Sequence, residues 1–497
     1  MKLNSKKIFW VGFAFMIICL FWQIYDNIVA KMLINSFGLD QFWSGVVLAI
    51  DNVLALFMLP LFGALSDKTK TRFGKRTPYI FFGTLAAALL FMGVAIFDNL
   101  QQKSVEGYGI PNIVEVLEEE DPNYGLFTFR DEVYGDESAG TYGTKEAAAT
   151  VRAAEVLEYT KDNVLYFILF MVILLFVLIA MATYRTPAVS LMPDVTPKPL
   201  RSKANAIINL MGTAGGIIAL AYPMVLAKFT DSYIVTFAVL ALLMFIFLGI
   251  FLLKVKEPKF VQEMHEDSIK YGIEVETTSP EGDKEPDMAP DVKKSFYLIL
   301  ASIIFWFMAY NAATSKFSVF AEDALNMGYN IPLLIAQGAA VISYIPIGII
   351  ASKHGRKRTI LAGIIILFAA FVIGSIVAFT KTKPLIYATM GIAGIGWATI
   401  NVNSYPMVVE MSKEGNIGKY TGYYYTASMF AQIITPMLSG ALMAFVNNNV
   451  SAGFGYRVLF PYCVLFCIIA FITMSRVKHG DSKPIPVKAI EAYDVDD

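Results

Sequence analysis

Pro60-Leu-Phe-Gly63-Ala-Leu-Ser-Asp67-Lys-Thr-Lys-Thr-Arg72-Phe-Gly74-Lys75-Arg76-Thr-Pro78 closes one long apolar run and opens the next. Its counterpart, Pro346-Ile-Gly348-Ile-Ile-Ala-Ser352-Lys353-His-Gly355-Arg356-Lys357-Arg358, does the same in the second half of the chain. Each joins glycine, which lets helices approach closely, to a basic turn suited to the phosphate layer of a bilayer. Positive-inside topology accounts for the cations but not for paired glycines at matching places. The two stretches therefore read as a cytoplasmic gate where related bundles meet. Its candidates are Gly63, Asp67, Arg72, Gly74, Lys75 and Arg76 in the first copy, and Gly348, Gly355 and Arg356 in the second. Arg185, Asp194 and Arg201, around the segment after the fourth apolar run, join them.

Outward from these stretches the chain is a series of apolar runs. A span needs about 20 mostly apolar residues. Such runs lie near 9–34, 42–65, 78–97, 164–186, 203–227 and 233–254, then 296–322, 331–351, 359–380, 384–408, 420–445 and 456–475. The fold expected is an all-α membrane protein of 12 helices, two six-helix bundles related by pseudo-two-fold symmetry. Only 16% of the 497 residues are charged, against about 25% in soluble proteins. Lipid as the outer solvent explains that deficit, and the net charge of -1 gives no reason to expect a nucleic-acid partner. The first run follows Lys6 and Lys7 but contains Trp22, Tyr25 and Asp26, so it reads as a retained helix rather than a leader.

The Lys/Arg bias of the short loops puts both termini in the cytoplasm, with the cell membrane as the site. Residues 1–254 form the first bundle and 295–476 the second. Residues 98–163 read as an acidic extracellular insertion carrying Glu118, Glu119, Glu120 and Asp121, most simply a solvated face. Residues 255–294 read as a cytoplasmic linker and 477–497 as a cytoplasmic tail. Cys19, Cys463 and Cys467 sit inside apolar runs and read as packing residues.

Ionisable groups inside spans are costly and default to function. Asp26 and Asp51 are the candidates for cation coupling, set against structural ion pairs with Lys31 or Lys316. All three histidines fall in expected cytoplasmic segments, so a coupled proton needs a carboxylate. Polar and aromatic groups recur at helical spacing, as a cavity for a polyhydroxylated ligand requires. These substrate-binding candidates are Trp22, Gln23 and Asn27 on the first span, Asn52 on the second, and Asn205 and Asn209 on the fifth. Trp306, Tyr310, Asn311 and Lys316 on the seventh, Trp397 and Asn401 on the tenth, and Tyr424 and Gln432 on the eleventh complete the set. There is no nucleophile–base constellation and no metal-ligand spacing, so no enzyme, cofactor or metal is expected.

The run 63–80, with Arg185-Thr-Pro187, Met192-Pro193-Asp194 and Arg201, resembles the major facilitator superfamily. More narrowly it is similar to the glycoside–pentoside–hexuronide:cation symporters and the plant-type sucrose/proton symporters with their bacterial relatives. The resemblance implies a symporter of a small sugar working by alternating access, as a monomer. Melibiose-type members carry Asp-x-x-x-Asp-Pro on the second span as part of a sodium site. Here Ala55 and Leu59 precede Pro60, which points to protons instead. Sucrose-type relatives place an Arg where this chain has Val189; Arg185, one turn earlier, is the substitute the resemblance offers, and sucrose itself is not implied. An exporter of amphipathic compounds, or a membrane sensor or scaffold, is the alternative.

Overall fold

The computed structural model describes residues 2–39, 41–110, 127–129, 132–134, 145–226, 232–273, 289–321, 325, 327–412, 416–449 and 455–481. Twelve helices are long and apolar enough to span a bilayer. In the first half these are α1 (Ser5–Asn35), α2 (Gln41–Lys68), α3 (Thr77–Gly107), α5 (Leu165–Asp194), α6 (Arg201–Leu226) and α7 (Tyr233–Lys254). In the second half they are α9 (Pro290–Val319), α10 (Asn330–His354), α11 (Arg356–Thr380), α12 (Lys383–Glu410), α13 (Ile417–Asn449) and α14 (Leu459–Ser475). Two further helices, α4 (Lys145–Asp162) and α8 (Glu257–Lys270), fall in the segments read from sequence as insertion and linker. One short hairpin, β1 (Phe127–Phe129) with antiparallel β2 (Glu132–Tyr134), is the β structure among the described residues. The acidic run 118–121, residues 274–288 of the linker and residues 482–497 lie outside the described residues.

Each half is a six-helix bundle, and both described chain ends lie at one end of the molecule, here called the basic end. Packing there is tied by charge. The N-terminal N–H groups of a helix lack partners within it and favour an acid. Glu257 of α8 supplies one to α3, accepting from the backbone N–H of Lys75 (2.7 Å), Arg76 (3.0 Å) and Thr77 (2.8 Å) and from the Thr77 hydroxyl (2.7 Å). Asp481 does the same for α11, accepting from the N–H of Arg356 at 2.7 Å. The two caps sit after the last helix of each half, a repeat that hydropathy alone does not reveal. Lys7 Nζ reaches Glu263 (3.2 Å) and the Phe260 carbonyl (2.8 Å), fixing α8 beneath the first bundle.

At the opposite end α3 runs ten residues beyond the expected limit of 97, to Gly107. Its extension packs on α4 through Gln101 Nε2 to Thr160 Oγ1 (3.0 Å) and a Ser104–Tyr159 hydroxyl contact (2.5 Å). This pairing satisfies polar groups that the apolar-run reading placed in a solvated insertion. Within α1, residues Tyr25–Val29 form a π turn. The Asn27 amide donates back to the Gln23 carbonyl at 2.7 Å there, a side-chain competitor where the helical ladder widens. Asp26 lies inside that turn.

Candidate functional site

The halves close on one another at the basic end through backbone and polar contacts. A Cβ on Gly63 would collide with the Gly418 carbonyl, and one on Gly422 would lie 2.7 Å from Pro60 N. Glycine at 63, 418 and 422 is what lets α2 and α13 touch backbone to backbone. Asp67 accepts from the N–H of Gly418 and Lys419, both at 2.9 Å, and so caps α13 across the divide. Arg76, fully buried, holds Asp67, Ser66 and Asp194 (2.7 Å) together, and Lys75 reaches Asp194 at 2.9 Å.

The second half contributes Arg356, also buried, which meets Glu410 (2.7 Å), Ser202 (3.1 Å) and the Lys198 carbonyl. Arg201 stands 3.6 Å from the same Glu410 and donates to the Pro193 carbonyl at 3.1 Å. Gly348 faces Ala206 and Ser202 of α6. Ser352, in the place of Asp67, bonds only its own helix, at Gly348 O (2.9 Å). Glu410, unremarked in the sequence, carries the negative charge of this side instead. Arg72 is exposed and lies over Phe73 (4.7 Å), while Gly74 and Gly355 hold positive φ beside Glu257 and Asp481.

Above these contacts lies a cavity of about 580 Å³ between the halves. Asp26 of α1 and Asp51 of α2 line it. Asn52, Asn205, Asn209, Asn401 and Gln432 supply amides, and Trp22 and Tyr424 supply rings, all from the candidate set. Tyr405, Tyr425 and Ser428 add hydroxyls. Phe15, Ile18, Met192, Ile208, Phe307 and Met429 make apolar wall. Just below, Asn205 donates to the Val402 carbonyl (3.0 Å), Ser190 to Thr421 (2.9 Å) and Tyr405 to the Val189 carbonyl (3.2 Å). These join the two halves on the basic side of the cavity.

The sequence set divides on this geometry. Arg185, grouped above with the gate, lines the cavity instead. It sits two residues before Pro187 and about two and a half turns of helix short of Asp194, which does reach the basic end. Its guanidinium lies over the rings of Trp22 (5.2 Å) and Tyr425 (4.8 Å). Gln23, Asn27, Trp306, Tyr310, Asn311, Lys316 and Trp397 do not line the cavity. Gln23 faces Gly216 of α6, and Trp306 is fully buried in the core of the second bundle. Tyr310 and Trp397 stack on one another, centroids 4.1 Å apart and planes 9° from parallel. A polar or aromatic stripe on a membrane helix serves a neighbouring helix as readily as a cavity. Among the described ion pairs none joins Asp26 or Asp51 to Lys31 or Lys316. Tyr425 and Glu410 were missed; a tyrosine pair with Tyr424 and an acid ending a span were the available signals.

Twelve spans in two bundles around a polar cavity, sealed at one end, define a multi-pass membrane transporter. The family signature for the Major Facilitator Superfamily matches residues 163–436 and 335–492, and one described as MFS/sugar transport protein matches residues 8–110. The chain belongs to the major facilitator superfamily, whose members transport small molecules. The comparison with curated proteins returned no match. Among solved structures, a bacterial homologue of the iron transporter ferroportin in the outward-facing state aligns at TM-score 0.63 and 10% identity, covering 96% of this chain and 99% of that one. The MFS proton:xylose symporter XylE, bound to 6-bromo-6-deoxy-D-glucose, aligns at 0.59 and 14%, covering 99% and 100%. The human organic anion transporter MFSD10 (TETRAN) aligns at 0.54 and 11%, covering 96% and 100%. At these identities the likeness is one of fold.

Proposed function

We propose that the chain is a secondary transporter of a small sugar or glycoside, coupled to protons and working by alternating access in the cell membrane. The observation that carries this is the cavity itself: two carboxylates, five amides and several aromatic rings facing one space between two bundles. Amides and carboxylates bond hydroxyl groups, and aromatic faces cover the C–H face of a sugar ring. Ionisable groups at such depth are tolerated where they face a water-filled space. Asp26 and Asp51 are the proton-carrying candidates, because no histidine lines the cavity.

With Lys/Arg-rich loops cytoplasmic, the state seen is closed inward, and both termini are cytoplasmic. Asp67, Arg76, Asp194, Arg201, Arg356 and Glu410 then form the inner gate. Uptake of radiolabelled sugars into proteoliposomes tests this reading. An inward pH gradient should accelerate uptake, and Asp26→Asn or Asp51→Asn should remove the acceleration. Uptake that ignores the gradient and survives both substitutions would remove proton coupling. Efflux of amphipathic dyes, with no sugar uptake, would favour an exporter instead.

A further inference from the structure

Beside the large cavity lies a second, much smaller space of about 10 Å³ between α1, α2 and α5. Trp22, Asp51 and Arg185 line both, so these three side chains form the partition between them. The rest of the small pocket's wall is aliphatic, with Ala55 and Leu59 of α2 and Leu178 of α5 in it. Two nitrogens of the partition, Trp22 Nε1 and Arg185 Nε, are buried and have no hydrogen-bond partner among the described residues. The charge of Arg185 is balanced, since Asp26 and Asp51 both interact with it electrostatically. Charge balance at a distance does not supply an acceptor for a particular N–H. Asp51 is the acceptor among the three; its Oδ1 takes the Asn52 amide at 2.9 Å, and a carboxylate has lone pairs for more than one donor.

Buried donors without acceptors are costly, and protein interiors often satisfy them with an enclosed water. Such a water needs a space of about 10–15 Å³ and two to four polar partners. The small pocket offers one such space and three such partners. Its chemistry rejects ions of either sign: two of the polar groups are donors and one is itself a cation, while the third is a carboxylate. A molecule that both accepts and donates fits. We propose that this pocket binds a single water, which accepts from Trp22 Nε1–H and Arg185 Nε–H and donates to the Asp51 carboxylate. Trp22 is then a positioning residue, holding Asp51 through the water while its ring faces the large cavity. The groups that act electrostatically on Asp51 are Asp26 and Tyr25 of α1 and Arg185 of α5. The consequence for transport rests on the proton-coupled reading above: a carboxylate that loses a donor keeps its proton to higher pH.

Hydroxyl-radical footprinting of the full chain in nanodiscs, by X-ray pulse and mass spectrometry, reads an enclosed water directly, because the radical forms from that water in place. Leu59 and Leu178, 1% and 4% exposed, line the small pocket but not the large cavity. Both should be oxidised, whereas Leu174 of α5, 2% exposed and in neither wall, should not. Ala55→Val puts two methyl groups into the pocket and should abolish that labelling. It should also move the pH of half-maximal uptake upward by about one unit. Trp22→Phe, which deletes one donor, should move it the same way. Should Ala55→Val fail to fold, the wild-type comparison with Leu174 still decides. Leu59 and Leu178 labelled no more than Leu174, or labelled as strongly in Ala55→Val, would overturn the water site. Labelled leucines with uptake that ignores pH would uphold the water and overturn the proton-coupled reading, so the two failures are distinguishable.

Discussion

Gly418→Ala offers the sharpest perturbation of the inner closure. A Cβ at 418 would lie 2.9 Å from the Gly63 carbonyl carbon and 2.6 Å from Arg76 Nη1, and nearer still to the Gly63 oxygen. Two of these three atoms are backbone, and the third belongs to a buried arginine holding two aspartates. No flexible side chain can yield, so α2 and α13 must part. Overpacking of this kind costs about 1–3 kcal/mol. The cost falls only on the state in which the two helices touch, so it shifts the closed-to-open ratio by roughly 5- to 150-fold. Spin labels at Lys70 and His354, both exposed at the basic end of opposite halves, report that ratio as a distance distribution in a background lacking the three cysteines. Gly418→Ala should transfer population to longer distances. Gly338→Ala, where no atom lies within 4 Å of the added Cβ, should leave it unchanged. Identical distributions in wild type and Gly418→Ala would refute the claim that this contact is a moving interface.

Other outcomes follow from named contacts. Glu257→Ala removes the acceptor for three backbone N–H groups at the start of α3, and a lost cap of this kind should cost about 0.5–2 kcal/mol, read as a lower melting temperature in detergent. Glu410→Ala leaves Arg356 and Arg201 without their carboxylate; breaking a buried pair from one side costs about 3–5 kcal/mol, and melting should fall further than for Glu257→Ala. Asp98→Leu strips the buried Ser36 hydroxyl of its acceptor (2.6 Å) and removes one of the two acceptors of the Gln102 amide (2.9 Å), for about 1–3 kcal/mol in the same assay. On the proposed proton coupling, uptake should rise as pH falls on the loading side, and the profile should flatten in Asp26→Asn or Asp51→Asn.

Much of the architecture was legible because a bilayer imposes length and polarity on every span. The twelve apolar runs, the paired basic turns and the pairing of Gly63 with Asp67 all read directly. Asp26, Asp51, Asn52, Asn205, Asn209, Asn401 and Gln432 were singled out because polar groups at depth need a reason, and all seven line the cavity. The same logic misplaced Trp306, Tyr310 and Trp397. Helical spacing shows that a face is distinctive but not which neighbour it meets, and Tyr310 and Trp397 meet each other. Arg185 was grouped with Asp194 and Arg201 in the gate, yet the length of α5 between Arg185 and Asp194 separates cavity from gate. The caps by Glu257 and Asp481 were hidden in segments whose charged composition reads as linker and tail. Their partners are backbone N–H groups, which leave no trace in side-chain pattern.

Proton movement itself tests the central claim most directly. Proteoliposomes loaded with a pH-sensitive dye, without an imposed gradient, should acidify inside when the transported sugar is added outside. The signal should vanish in the Asp26→Asn, Asp51→Asn double variant while ligand binding persists. Measurable sugar entry with no change in internal pH would contradict the account.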